Sequence, residues 1–388
     1  MENADRVIVV GAGIGGLVLA RALAALGTPV DLVERAETLR AVGAGITLGA
    51  NAMRILRELG VGAAVAERGH VLGAGAITNA GGQVLSYADL SEVEARYGKS
   101  VAIHRSALHE ALSEGLFEGD GGTVRVHFGT TVERIEEVPG GVRATLDDGR
   151  VLEGRALIGV DGIRSRVREL VFGQREPRYS GYTCWRFAGR IPGGLKDAVE
   201  MWGAGQRVGL VPIAGRDEIY AFFVANAPRG TAANPERRRA SYVRQRFSGF
   251  GGEVPRVLAA LGDASAELLH HDIEEIALDS WTRGAVGLLG DAAHAMTPNL
   301  GQGAAMAIED ALVLARELNA HESATTALAA YEARRRPRVL DIQTRSRSIG
   351  KVAQWQAPLA VRARNWLLRN TPGSATQKTV ERVVSYVP

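Results

Sequence analysis

The first 35 residues carry the feature that most constrains the fold. An apolar run, Val7–Val10, breaks into glycines at Gly11, Gly13 and Gly16, and a second apolar run ends at Glu34. Strand, tight turn, helix, strand and acid in this order are typical of the βαβ unit that seats a dinucleotide pyrophosphate on a helix N-terminus. Gly11 permits the turn, Gly13 lets the backbone approach the phosphates, and Gly16 lets the helix pack close to the strand. The carboxylate of Glu34 can accept hydrogen bonds from the ribose hydroxyls. The predicted contacts of this unit also include Ile14 and Arg35.

Composition narrows the class of protein. The chain has 388 residues, is 46% hydrophobic and carries a net charge of +3, with arginines and acids interspersed. A nucleic-acid binder would concentrate its positive charge in a stripe, so we predict no nucleic-acid partner. The single cysteine, Cys184, excludes an intrachain disulfide framework and a multi-cysteine zinc site, and we predict no metal site. The early first strand leaves no room for a signal peptide, and no run of 18 apolar residues occurs; both favour a cytoplasmic protein.

The periodicity of apolar residues predicts an α/β fold with a second sheet. Residues 124–153 are expected to form a β-meander, and residues 74–99 short strands and turns. From residue 179 to 271 the pattern changes to aromatic-rich alternating strands with one helix near 235–247, whereas 326–371 is helical and rich in arginine. The predicted domains are a discontinuous dinucleotide-binding domain (1–73, 100–176 and 272–330), a substrate domain (74–99 and 177–271) and a C-terminal helical segment (331–388).

Two further motifs concern the cofactor. Asp161-Gly162 follows the buried run 156–160 and precedes a helix, and Gly290-Asp291 follows the buried run 285–289. With the first glycine turn, these segments resemble the DG and GD motifs of the single-component FAD-dependent aromatic hydroxylases, the p-hydroxybenzoate-hydroxylase-like flavoprotein monooxygenases. The resemblance extends over essentially the whole chain. It implies a Rossmann-like FAD-binding domain of the GR2 flavoprotein type, with an inserted antiparallel-sheet substrate domain and C-terminal helices.

The resemblance also assigns residues to parts of FAD. A glycine-rich loop from Pro298 leads into a helix near Gly303, whose unpaired N–H groups suit the N1–C2=O edge of a reduced flavin. Asp291 is expected to hold a ribityl hydroxyl or to cap the following turn, and Asn51 to be a helix N-cap or a ligand. His294 is favoured as a structural or FAD-adjacent histidine over a dyad partner of Asp291. Pro298 is expected to be a catalytic residue. The expected FAD contacts of these segments are Gly45, Arg105, Asp161, Asp291, Gly301, Gln302, Gly303 and Ala304.

Arg207 and Tyr220 are the candidate substrate residues. They lie on neighbouring predicted strands and match an arginine and a tyrosine that urate hydroxylase uses at its active site. Arg207 is expected to bind an anionic oxygen or to acidify a substrate hydroxyl, with Tyr220 donating to it. The alternative is plain sheet packing. Among the shorter family members, the urate hydroxylase, 3-hydroxybenzoate 6-hydroxylase and zeaxanthin epoxidase group is most similar.

The resemblance implies a monooxygenase that inserts one oxygen atom from O₂ into a small aromatic or heteroaromatic substrate. NADH or NADPH, a transient co-substrate, reduces FAD, and a C4a-hydroperoxyflavin transfers the oxygen. Urate hydroxylation or epoxidation is the alternative within the family; a flavin-dependent dehydrogenase or a flavin-binding sensor is the alternative outside it. The chain is expected to be a monomer or homodimer. The segment from Trp355 to Arg369 is predicted to pack across the domain seam with solvated arginines, so membrane association is not expected. The alternative is a basic amphipathic helix that lies on a membrane or binds a partner.

Overall fold

The computed structural model describes residues 5–39, 43–117, 123–215, 217–262 and 268–388. Its strands are β1 Val7–Val10, β2 Val30–Glu34, β3 Gly45–Leu48, β4 His70–Val71, β5 Ala74–Asn79, β6 Val84–Asp89, β7 Val101–His104, β8 Val124–Phe128, β9 Val132–Val138, β10 Gly141–Leu146, β11 Val151–Gly154, β12 Ala156–Gly159, β13 Arg178–Arg190, β14 Ala198–Trp202, β15 Gln206–Ala214, β16 Glu218–Asn226, β17 Leu269–Glu275, β18 Thr282–Arg283 and β19 Val286–Leu288.

The α-helices are α1 Ile14–Ala25, α2 Ala50–Glu58, α3 Gly62–Glu67, α4 Ser91–Tyr97, α5 Arg105–Ser113, α6 Arg166–Phe172, α7 Ala240–Phe247, α8 Val254–Ala260, α9 Asp291–His294, α10 Gly303–Ala320, α11 Ala324–Ala353, α12 Pro358–Asn370 and α13 Gly373–Val384. Short 3₁₀ turns cover Thr231–Ala233, Pro235–Arg238 and Pro298–Leu300. Among the described residues, no helix is both long and apolar enough to cross a bilayer.

The dinucleotide-type sheet has the strand order β18-β19-β12-β1-β2-β8, and all its pairs except β18–β19 are parallel. Its inner strands are continuous apolar runs because helices cover both faces of such a sheet. Helix α1 packs against α10 beside it. The carboxyl ends of β1, β12 and β19 therefore meet at one edge, where ligands of doubly wound sheets bind.

The second large sheet has the order β17-β13-β16-β15-β14-β5-β6. One face packs on α7 and α8 through a core that includes Trp185, Phe223 and Phe247. The opposite face carries smaller clusters and turns toward β3 and β7, which form a separate three-stranded sheet with β4 in the order β3-β7-β4. This face supplies the wall of the candidate site.

The α/β architecture and the helical C-terminus are as predicted, but some elements differ. Residues 91–97 form a helix, α4, within a segment predicted as strands and turns. β8 leaves the predicted meander and pairs with β2, while β9, β10 and β11 form a separate antiparallel sheet. Alternation alone does not reveal which neighbour completes a strand's hydrogen bonds. The turn between β15 and β16 includes Arg216, which lies outside the described residues.

Candidate active site

The turn between β1 and α1 requires glycine at two of its three glycine positions, Gly11 and Gly16. Gly11 has φ of +110°, and a Cβ there would lie 2.6 Å from the carbonyl oxygen of Val160. A Cβ on Gly16 would overlap the carbonyl oxygen of Gly11. A Cβ on Gly13, by contrast, would meet no atom within 4 Å. The helix N-terminus therefore faces open space, and its unpaired N–H groups are available to an anion.

Glu34 ends β2 beside this turn. Its carboxylate accepts hydrogen bonds from the backbone N–H of Ala12 at 2.8 Å and of Ala36 at 2.9 Å. These bonds fix the carboxylate at the edge of the turn, and its remaining lone pairs are free for ribose hydroxyls. Arg35 is exposed next to it.

Asp161, at the end of β12, has one oxygen engaged and one without a partner. Oδ2 accepts from the backbone N–H of Arg166 at 2.6 Å and of Val167 at 3.1 Å. Oδ1 is buried and has no hydrogen-bond partner within the described part of the chain. An orphaned buried acceptor is costly, so this atom indicates a missing donor such as a ligand hydroxyl. Arg168, in the helix that follows, is buried and donates to the carbonyls of Ala292 and Ile163.

Asp291 opens α9 and lies exposed in the groove between the two sheets. Two cations face it, Arg105 at the start of α5 and Arg186 on β13. Desolvation in the groove and the positive charge of Arg186 lower the pKa of Arg105, while Asp291 opposes the shift. The pKa of Arg186 is raised, chiefly by Tyr220, and its buried Nε atom has no hydrogen-bond partner among the described residues.

The loop before α10 presents a second helix N-terminus. Pro298–Leu300 forms a 3₁₀ turn, Gly301 adopts φ of +62° and Gln302 is the N-cap of α10. A Cβ on Gly301 or Gly303 would meet no atom within 4 Å, so both face open space. Ala304 follows in the first turn. Since α10 has 18 residues, its N-terminal N–H groups and dipole stabilise negative charge at this point.

Buried polar contacts hold this loop from behind. The amide nitrogen of Asn51 donates to Gln302 at 3.1 Å and to Glu309 at 2.7 Å. The expectation that Asn51 is an N-cap is wrong, because Gly49 caps α2 and Asn51 lies one residue inside the helix. The side chain is fully buried, so it uses its donors to position Gln302 instead of capping a helix.

An ion network beneath the loop joins three helices. Arg335 on α11 reaches Glu309 and Asp310 on α10 at 2.7 Å each, and Arg338 pairs with Glu309 at 2.7 Å. His294 bonds Asp310 at 2.6 Å and makes no contact with Asp291 in the described structure. The histidine therefore ties α9 to α10, as the structural interpretation predicted.

The predicted substrate pair lies on one face of the second sheet but at different places. Tyr220 packs at Gly45, where a Cβ would overlap its ring, and burial raises its pKa to about 12. Arg207 is 2% exposed and donates to Gln354, Glu200 and Asn299 at 2.8–3.0 Å. All three of its nitrogens are thus engaged by protein groups. The substrate role of either residue stays a prediction.

The residues fit FAD. Two helix N-termini, at Gly13 and Gly303, open onto the same edge of the first sheet and suit a pyrophosphate and an electron-rich ring. Between them lie the unpartnered acceptor of Asp161 and the exposed carboxylate of Asp291, which suit hydroxyl groups, and the cation Arg105.

Comparisons with known proteins agree with this geometry. The model of a family described as "FAD binding domain" matches residues 5–346. An aurachin C monooxygenase/isomerase of Stigmatella aurantiaca is 38% identical over 100% of both chains, and a 2-heptyl-3-hydroxy-4(1H)-quinolone synthase of Pseudomonas aeruginosa is 37% identical over 98% of both. A structure of Klebsiella pneumoniae HpxO with FAD and uric acid superposes with a TM-score of 0.88, 29% identity and coverage of 98% and 96%.

The chain therefore belongs to the FAD-binding-domain family of flavoprotein monooxygenases. Its cofactor is FAD, as the sequence motifs predicted. No role was assigned to Arg186 from the sequence, and Asn51, Glu309 and Arg335 were not identified as the support of residues 298–303, which we call the flavin loop after their predicted contact. The signal for Arg186 was the aromatic-arginine stretch 179–186, but its register against β16 was not readable from one sequence.

Proposed function

We propose that this enzyme inserts one oxygen atom into the ring of a 2-alkyl-4(1H)-quinolone or a closely similar fused N-heteroaromatic. The overall reaction consumes one O₂, one NADH or NADPH and one proton, and yields the hydroxylated ring, NAD(P)⁺ and water. Similarity to the Pseudomonas aeruginosa quinolone synthase over 98% of both chains supports the substrate class. We place the reaction in the cytoplasm, where reduced nicotinamide is available.

The choice of a quinolone over urate as substrate rests on the hydrogen bonds that Arg207 already makes within the protein. Each nitrogen of Arg207 already donates one hydrogen bond, to Gln354, Glu200 or Asn299, and the side chain is 2% exposed, which disfavours a role in holding an anionic substrate such as urate. Its contact with Asn299 holds the residue next to Pro298, so Arg207 acts as a support for the flavin loop. Arg207 is therefore a positioning residue for this loop.

We assign substrate binding to Arg186 and Tyr220, two polar residues on the face of the second sheet that lines the site. In a 4-quinolone, loss of the N1 proton to water gives a 4-olate whose C3 carbon is electron-rich and forms a bond to an electrophilic oxygen. Loss of the C3 proton and return of a proton to N1, both by way of water, then restore the ring. The guanidinium of Arg186 stabilises that olate oxygen, since its Nε is buried and unpartnered in the described structure. Tyr220, whose pKa is about 12, stays protonated at neutral pH and donates to the same oxygen. Bound FAD supplies the reducing equivalents and the activated oxygen.

The test is a substrate screen with the purified flavoprotein. A 2-alkyl-4(1H)-quinolone should stimulate NAD(P)H oxidation and O₂ uptake, and ¹⁸O₂ should label the product with one oxygen atom. Urate should not stimulate either. Stimulation by urate and not by the quinolone would assign the urate hydroxylase alternative, and turnover without O₂ uptake would assign a dehydrogenase.

Two variants test whether Arg186 takes part in the reaction. Arg186→Gln should lower kcat/KM for the quinolone by about 100-fold, because a charge-assisted bond to a developing anion is worth about 3 kcal/mol. Arg190→Gln, on the exposed end of the same strand, is the matched control and should change neither constant. Equal activity of Arg186→Gln and wild type would remove this residue from the mechanism.

A further inference from the structure

Helix α12 turns its apolar residues to solvent. Leu359, Trp366 and Leu367 are 77%, 63% and 54% exposed, whereas the residue that α12 buries is Arg364. Arg364 donates to the carbonyls of Ala353 and Gly203 and lies over the ring of Trp202. The expectation of solvated arginines holds for Arg362 and Arg369, which are exposed, but is wrong for Arg364, which is buried.

The exposed residues form one stripe. Positions 359, 363, 366 and 367 fall on one face of a helix, opposite the face that carries Arg364. Trp355 and Val352, just before α12, are also more than one third exposed. Strand β6 packs against α12 and exposes Val84 and Tyr87. Large apolar side chains gathered in this way mark an interaction surface.

The charge beside the stripe is entirely positive in sequence. Residues 342–380 contain seven arginines and lysines and no aspartate or glutamate. Arg362 and Arg369 fall on one flank of the stripe, and Lys351 precedes it. In the described structure, Arg362 and Lys351 form no ion pair, and Arg369 contacts the neutral amide of Gln83. Apolar residues with tryptophan beside free cations suit the headgroup region of an anionic bilayer.

We propose that the surface formed by Val352, Trp355, α12 and Lys351 docks on an anionic phospholipid bilayer, with α12 in the plane of the interface. Two copies of the surface would bring like charges together with no acid to neutralise them, which disfavours self-association. The docking is peripheral, because the apolar face of one short helix enters only the headgroup boundary.

The position of this surface suits the proposed substrate. A cavity of about 520 Å³ opens at the end of α11 and is lined by Lys351, Gln354 and Tyr182. The hydroxyl of Tyr182 accepts from Asn299, the residue after Pro298 in the flavin loop. A docked bilayer would hold an alkyl-substituted heteroaromatic beside this cavity. This point alone rests on the proposed function; the docking itself does not.

The experiment is vesicle co-sedimentation of the FAD-loaded full chain. Phosphatidylglycerol vesicles should retain the protein at low salt and release it at high salt, and phosphatidylcholine vesicles should bind it weakly. The double variant Leu359→Ser/Trp366→Ser should lower partitioning at least about tenfold, and Arg362→Gln about fivefold. Val151→Ser removes an apolar residue that is 54% exposed, as Leu367 is, but lies on β11 and outside this surface; it should bind as wild type.

Tryptophan fluorescence gives a second measurement. Trp185, Trp202 and Trp281 are buried, so Trp355 and Trp366 report the surface. Their emission should shift to the blue on phosphatidylglycerol vesicles, and Trp366→Phe should reduce the shift. Unchanged flavin content and NAD(P)H oxidation in the double variant would show that it is folded. Absence of binding by wild type, equal binding by the double variant, or a dimer that the double variant dissociates without any lipid binding would each overturn the proposal.

Discussion

Asp310→Asn tests whether the buried ion network supports the flavin loop. Asp310 is fully buried, accepts from Arg335 and His294 at 2.7 and 2.6 Å, and so joins α10 to α11 and α9. Asparagine keeps the shape and removes the charge, leaving the Arg335 guanidinium with one carboxylate partner, Glu309. Breaking one side of a buried pair costs about 3–5 kcal/mol.

This loss of stabilising free energy corresponds to a decrease in the melting temperature, Tm. An unfolding entropy of about 2.1 cal/mol/K per residue gives about 0.8 kcal/mol/K for 388 residues, so Tm should fall by about 4–6 °C. Differential scanning calorimetry measures the shift, and loss of flavin absorbance during gel filtration measures FAD retention, which should fall with it. The matched control is Asp148→Asn, which removes an exposed carboxylate from Arg150 and should leave Tm unchanged.

The pH dependence of this stabilisation follows from the pKa of Asp310. Burial opposes ionisation of Asp310, but His294 and Arg335 outweigh it and lower the pKa below the usual value. The stabilisation is then complete above about pH 4 and is lost as the pH falls through the folded-state pKa. The Tm difference between wild type and Asp310→Asn should therefore narrow in acid. A difference below about 1 °C at neutral pH would refute the reasoning, because a buried charge pair could not then be broken so cheaply.

Three further predictions concern the turn, the substrate wall and a buried histidine. Gly16→Ala should lower both Tm and FAD retention, because its Cβ would overlap the carbonyl oxygen of Gly11. Gly13→Ala, whose Cβ would meet no atom within 4 Å, should weaken FAD binding and leave Tm unchanged. Calorimetry measures Tm, and flavin absorbance measures the FAD retained. Tyr220→Phe should lower kcat/KM for the quinolone without moving the pH profile below pH 10, since the phenol has a pKa of about 12 and does not ionise there; a shifted profile would contradict this. Burial lowers the pKa of His270 to about 4, so the unfolded chain takes up a proton between about pH 6.5 and 4 that the folded chain refuses. His270→Phe should flatten the loss of Tm over that range, and an unchanged slope would count against it.

The sequence could place the glycine turn, Glu34 at the end of β2 and the two aspartates beyond strand ends, because each carries its structural context within about ten residues. Their contacts with FAD stay predictions. The flavin loop could be placed for the same reason, since a glycine-rich segment before a long apolar helix presents its N–H groups wherever the helix packs.

Residues that act across the fold could not be assigned in this way. Arg207 and Tyr220 appeared equivalent as polar residues on neighbouring strands, but the packing engages one with Asn299 and leaves the other in the groove. Arg186 enters the groove because β13 pairs with β16 in one register. Nothing in the local pattern reports that register.

The sequence by itself determined the class of cofactor and the order of strand, turn and helix that binds it. The conformation of a glycine turn and the position of an acid at a strand end depend on residues only a few positions away in the chain. Only the tertiary structure decided which charges are buried together, as in Arg335 with Asp310, and which apolar residues stay outside, as on α12. Burial and partnership depend on segments that lie hundreds of residues apart in the chain, and the free energy of a charge or an apolar side chain is set by those neighbours.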